Sequence, residues 1–226
     1  MKRVLIVDDH PLMRKALRAL ISAQPDLEVC GEADNEPEAI DRFRHCRPCM
    51  AIVDLSLRSG SGLDLIKRIH CVDEHARILV VSVHDDALYA PRAIEAGALG
   101  YVNKAEPEER ILEAIRKVLQ GKIALSASTS EHLIRRWVGK RRAPDTMVEK
   151  LSDRELEVLE LIGQGFSTRR IAEHLRLSVK TIETHREKLK LKLDLPDGSA
   201  LARYAAVWEH EQSESSPHEG DAAAPE

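Results

Sequence analysis

Short apolar runs that end abruptly on polar residues mark the first half of the chain. Val4-Leu5-Ile6-Val7 runs into Asp8-Asp9, Ala51-Ile52-Val53 into Asp54, Ile78-Leu79-Val80-Val81 into Ser82, and Gly100-Tyr101-Val102-Asn103 into Lys104. Runs this short and rich in β-branched residues are the signature of strands buried on both faces of a parallel sheet. A further strand is expected from Glu28 to Ala33. Segments of helical periodicity separate the runs. Pro11 stands at a first helical position, with Leu12, Ala16, Leu17, Leu20 and Ile21 as an apolar stripe behind it. Glu36 to His45, Leu63 to His70, Asp86 to Ala96 and Pro107 to Gln120 are the other helices, with Gly97 and Gly121 as stop signals. Alternating strands and helices predict an α/β, flavodoxin-like doubly wound domain over residues 1–121, with five parallel strands in the order 2-1-3-4-5.

The pattern then changes. Residues 122–148 hold the run Ser126-Ala-Ser-Thr-Ser130, a possible helix from Glu131 to Val138, the basic run Lys140-Arg141-Arg142 and Pro144. They are expected to form a partly helical linker. Residues 149–210 have helical periodicity alone. Ser152-Asp153-Arg154-Glu155 is a capping box that opens one helix, with Leu156, Leu159 and Ile162 on its apolar face. Ser167 caps a short second helix that turns Ile171, Ala172 and Leu175 inward. After a tight turn at Leu177-Ser178, Ser178 caps a third helix reaching Leu193, with Ile182, His185 or Arg186, and Leu189 on its buried side. Two short helices joined by a few residues predict a helix-turn-helix. Residues 211–226 are acidic, without an apolar pattern, and are expected to be disordered.

Charge sharpens this division. The net charge of −4 is unevenly spread. Between Arg169 and Lys192 eight Lys and Arg stand against three Glu, a local excess of five positive charges. A lobe of this kind would neutralise phosphates, although a solvated basic face gives the same count. The amino-terminal apolar run is too short for a signal peptide, and no run approaches the ~18 residues of a membrane span. A cytoplasmic protein with no membrane partner is therefore expected. Cys46-Arg47-Pro48-Cys49 has the spacing of a redox pair, but lies between a helix end and a strand start, with no second pair to complete a zinc site. Ordinary reduced thiols are expected.

Ligands of an open parallel sheet sit beyond the carboxyl ends of its strands, where this chain gathers three carboxylates, a hydroxyl and an ammonium. Clustered carboxylates need a cation or a proton. A hard divalent ion such as Mg2+ suits them, and a carboxylate between a metal and a lysine is a plausible phosphoryl acceptor. Taken singly, an acidic turn or a surface lysine carries no chemistry. Their joint occurrence at four strand ends does.

With Val7-Asp-Asp-His10, Ile52-Val-Asp-Leu55, Val81-Ser-Val-His84 and Gly100-Tyr-Val-Asn-Lys104 in place, residues 1–121 resemble the receiver domain of two-component response regulators. The resemblance implies Asp54 as phosphoacceptor, and Asp8, Asp9, Asp54 and the Ser56 carbonyl as ligands of Mg2+. Ser82 would engage the phosphoryl group, Lys104 would pair with it, and Tyr101 would be a switch residue that moves inward on phosphorylation. Leu151-Ser-Asp-Arg-Glu155, Gly165, Ile171-Ala172, Lys180-Thr-Ile182, His185-Arg186 and Lys192-Leu193 likewise resemble the LuxR-type helix-turn-helix of NarL/FixJ regulators. Together they imply a transcription regulator, not an enzyme. Its partners would be a sensor histidine kinase and double-stranded DNA. It would form a homodimer when phosphorylated, through Ser199 to Trp208 or the preceding helix end.

On the third helix, Lys180, Glu183, Thr184 and Glu187 face away from Ile182 and Leu189 and are candidates to reach base edges. Arg169, Arg170, Lys188 and Lys190 are candidates for phosphates. Two departures from the receiver pattern stand out: Arg58 replaces a frequent proline after the acceptor loop, and Asn103 precedes the lysine. A phosphatase using an aspartyl nucleophile would need an Asp-x-Asp motif after the first strand, and Asp8-Asp9 has no intervening residue. A regulator that works without phosphorylation is the other alternative, disfavoured by the complete acidic site.

Overall fold

The computed structural model describes residues 1–138 and 147–214. The basic run 140–142 lies outside them. Five parallel strands, β1 (Lys2–Val7), β2 (Leu27–Ala33), β3 (Met50–Val53), β4 (Ile78–Ser82) and β5 (Gly100–Asn103), form one sheet in the order β2-β1-β3-β4-β5. The helices between them are α1 (Pro11–Ser22), α2 (Glu36–Cys46), α3 (Gly62–Val72), α4 (Asp86–Ala96) and α5 (Glu108–Leu119). Val4 to Val7 of β1 and all of β3 and β4 are buried, which is why they read as continuous apolar runs rather than alternating ones. One sheet face packs Val4, Ile6 and Ile52 against Leu17, Ile21 and Ile115 of α1 and α5. The other packs Leu5, Val7 and Val53 against α2, α3 and α4. Pro11 is the first residue of α1, as expected, since its missing N–H would have no helical partner there.

A helix α6 (Ala127–Val138) follows, four residues longer at its start than anticipated, because the Ser126 hydroxyl accepts from the Thr129 N–H and the Ser126 carbonyl from the Ser130 N–H. The second domain comprises α7 (Asp153–Gly163), α8 (Thr168–Leu175), α9 (Val179–Lys192) and α10 (Gly198–Glu214). Ser152 and Glu155 form the reciprocal capping box, and Ser167 and Ser178 each accept a hydrogen bond from the backbone three residues on. Arg176, in the left-handed region at φ 55°, makes the bend between α8 and α9. Ile182, Leu189 and Leu193 are buried, with His185 and Arg186 partly so. Helix α10 reaches Glu214, so the first four residues of the segment expected to be disordered are helical; residues 215–226 lie outside the described part. The four cysteines are free. Cys46 ends α2 and its thiol donates to the Cys30 carbonyl at 3.0 Å. Among the described residues no helix is long and apolar enough to cross a membrane.

The two domains touch. The apolar cluster on the α2–α4 side of the sheet runs on into the core of the second domain. Around it, Asp153 receives Lys67 at 2.8 Å and Arg92 at 3.1 Å, and Arg154 reaches Asp64 at 2.7 Å.

Candidate functional site

The ladder of the sheet delivers the polar residues to one place. The Asp8 N–H donates to Ala33 of β2, the Asp54 N–H to Val7 of β1 at 2.8 Å, and the Lys104 N–H to Ser82 of β4 at 2.8 Å. Each is thus the first residue past its strand, held by the neighbouring strand while its side chain leaves the sheet edge. Lys104 Nζ lies 2.6 Å from Asp8 Oδ2 and 2.7 Å from Asp54 Oδ2. All three side chains are nearly inaccessible. Burial and the neighbouring Asp8 push the Asp54 carboxyl up, against the pull of Lys104, so its charged form is held at a cost. Burial opposes the charge on Lys104, but Asp54 and Asp8 outweigh it and raise its pKa. Ligand atoms of Asp8, Asp9, His10 and Asp54 all lie within 4.8 Å of one another. Asp54 Oδ1 and Ser82 Oγ are buried without a hydrogen-bond partner. An unpartnered carboxylate oxygen among three oxygen-donor side chains fits a hard cation, since such an oxygen is expensive to leave unpaired.

Ser56 lines the same cavity as Asp9 and His10. Tyr101, expected to move inward on phosphorylation, is already inside: it is 2% exposed, and its hydroxyl donates to the His84 carbonyl at 2.9 Å. Arg58 points to solvent and pairs with Asp34 at 3.3 Å, and Asn103 donates to the His84 carbonyl at 3.3 Å. His10 and His84 were not anticipated. His10 Nδ1 sits 2.7 Å from Asp9 Oδ1, and His84 Nε2 2.9 Å from Ser56 Oγ. Their one signal was adjacency: His10 follows the acidic pair and His84 follows Ser82 by two.

In the second domain Lys180, Glu183, Thr184 and Glu187 all lie exposed on α9, opposite Ile182 and Leu189. The Thr184 hydroxyl is spent on the Lys180 carbonyl at 2.9 Å, which suits a methyl-outward role better than a hydrogen-bonding one. Arg169, Arg170 and Lys188 are exposed, and Arg170 stacks over Phe166 at 4.2 Å. Lys190 is half-buried and meets Glu187 at 2.9 Å. Lys192 turns away from this face and anchors the capping box through Glu155 at 2.6 Å. A parallel α/β domain with an acidic edge and an all-helical domain with an exposed basic helix are thus joined in one chain.

Comparison with known proteins assigns both halves. Residues 4–116 match the response regulator receiver domain, and residues 149–205 match the bacterial regulatory proteins of the luxR family. The chain is a two-component response regulator of the NarL/FixJ type. It is 33% identical over 208 residues to the oxygen regulatory protein NreC of Staphylococcus haemolyticus, a match covering 90% of this chain and 96% of that one. It is 34% identical over 209 residues to the transcriptional regulatory protein LiaR of Bacillus subtilis (91% and 97% covered). Among solved structures it resembles RcsB of Salmonella enterica serovar Typhimurium bound to promoter rprA with the phosphomimetic BeF3-, at 25% identity and TM-score 0.68, over 91% of this chain and 98% of that one. The regulator therefore carries a receiver and a DNA-binding domain and acts in transcription.

Proposed function

We propose that the regulator takes a phosphoryl group onto Asp54 from the phosphohistidine of a sensor histidine kinase, and that this switches its dimerisation and its grip on DNA. The observation that carries the reading is the buried triad of Lys104, Asp8 and Asp54, with Asp54 Oδ1 left free. Asp8, Asp9, Asp54 and the Ser56 carbonyl would hold Mg2+. The ion supplies positive charge that offsets the carboxylates and the oxygens of the transferring group. Asp54 Oδ1, unpartnered, attacks phosphorus as the leaving group departs. Lys104, between Asp54 and Asp8, is placed to move its ammonium onto a phosphoryl oxygen. Ser82 Oγ, buried without a partner, is the donor waiting for a second.

The output is double-stranded DNA read by α9, with Lys180, Glu183, Thr184 and Glu187 toward base edges and Arg169, Arg170, Lys188 and Lys190 toward phosphates. The homodimer would form on α10. There Leu201, Ala205 and Trp208 are consumed by the domain's own core, while Ala202, Ala206 and Val207 lie exposed along one side. The test is Asp54→Ala. The variant should fold, take no label from acetyl phosphate, and fail to dimerise on adding it. Equal dimerisation and DNA binding by the wild type with and without phosphodonor would instead mark a regulator independent of phosphorylation.

A further inference from the structure

One carboxylate of the DNA-binding domain is wired into the receiver's switch loop. Glu160 of α7 places Oε1 3.2 Å from His84 Nδ1 and accepts the Tyr89 hydroxyl. His84 lies in the loop between β4 and α4, two residues past Ser82. It is the joint of four contacts: its other ring nitrogen meets Ser56 Oγ, its carbonyl receives Tyr101 and Asn103, and its ring stacks on Tyr89 at 4.6 Å. The side chains of His84 and Glu160 are only 17% and 14% exposed, so the contact is shielded from water and from salt. It belongs to a wider closure in which the Gly60 N–H donates to His174 of α8 and a cavity of about 560 Å³ lies between Ser56 and Asp9 on one side and Glu157 and Phe166 on the other.

The geometry points to Glu160 as a positioning residue: through His84 and Tyr89 the DNA-binding domain holds the β4–α4 loop, and so sets how tightly the Asp54 site takes a phosphoryl group. This rests on the phosphoacceptor reading above. Ser82 heads that loop, and its hydroxyl must turn toward the phosphoryl oxygens. A loop pinned at His84 and Tyr89 yields less readily. Coupling of this kind is reciprocal in its free energies: if a phosphoryl group weakens domain closure, closure weakens binding at Asp54 by the same factor. The effect comes from one domain and is read in the other.

The test is equilibrium binding of BeF3- with Mg2+ to the full chain, as wild type, Glu160→Gln, Tyr89→Phe and the double variant. Glu160→Gln keeps the shape and removes the charge. Tyr89→Phe keeps the ring on His84 and removes only the hydroxyl, so it carries the test should the first variant fold poorly. Both should bind BeF3- more tightly, Glu160→Gln by on the order of tenfold. The double variant should gain no more than Glu160→Gln alone, because the Tyr89 hydroxyl acts through Glu160. Wild-type affinity in both single variants overturns the role of Glu160 and leaves the phosphoacceptor reading standing. No binding of BeF3- by the wild type overturns both.

Discussion

Glu157 should make closure of the two domains depend on pH near neutrality. It lies in α7, 2.7 Å from Arg154 and facing Ser61 and Asp64 of the receiver, with its side chain 15% exposed. Burial pushes its carboxyl from 4.5 up to about 7; Arg154 opposes this, while Asp64 and Glu160 add to it. Ser61 and Asp64 of the receiver lie against it, so opening the chain should return the group toward its ordinary value. A carboxyl whose pKa is raised in the closed form favours closure below the open-state value and loses that contribution as pH rises through about 7. Taking about 7 for the closed form, the closed-to-open ratio falls by roughly (1 + 10)/(1 + 0.1), or about tenfold, between about pH 6 and about pH 8. That is about 1.4 kcal/mol. His174, at the same cavity and lowered by burial, works the opposite way toward acid pH, so the comparison is with Glu157→Gln rather than with wild type alone. Small-angle scattering across this range should show the wild type expanding as pH rises, relative to a flatter Glu157→Gln. An identical profile in the two proteins would refute the reasoning.

Other expectations follow from single contacts. Lys104→Met leaves two buried carboxylates facing each other; in the absence of Mg2+ the receiver should lose about 3–5 kcal/mol in urea unfolding, and an unchanged midpoint would contradict the buried triad. Gly62→Ala would place a Cβ 2.3 Å from the Asp54 carbonyl oxygen and 2.5 Å from Leu55 Cα, both backbone, so the receiver should lose roughly 1–3 kcal/mol and take up phosphoryl label more slowly. On DNA, Arg170→Ala should lower the slope of log affinity against log salt by about 0.9 if Arg170 contacts one phosphate, whereas Glu183→Ala should change sequence preference; a filter-binding salt titration separates the two.

The receiver was legible because its chemistry is local to strand ends. Once β1, β3, β4 and β5 are read as buried strands, Asp8, Asp54, Ser82 and Lys104 must share an edge, and the ladder bonds of Asp8, Asp54 and Lys104 place them there. The helix starts were legible for the same reason: Ser152, Ser167 and Ser178 cap by bonds spanning three residues. What escaped was non-local. Nothing near Glu160 or Asp153 in the chain announces His84, Tyr89, Lys67 or Arg92, which are 61 or more residues away. The partner of the Tyr101 hydroxyl was not readable either, since it is the His84 backbone carbonyl, which carries no residue identity. Within the basic stretch from Arg169 to Lys192, two partners were also not readable: Lys192 serves the capping box through Glu155, and Lys190 meets Glu187.

The central claim is that Asp54 is the acceptor whose occupancy drives output. The most direct test is intact mass after incubation with acetyl phosphate and Mg2+, for wild type and Asp54→Ala, with the oligomeric state of the same samples. The account predicts one added phosphoryl group and dimer formation in wild type alone, both lost when Mg2+ is removed. An adduct of equal extent in Asp54→Ala, or no adduct in a folded wild type, would contradict it.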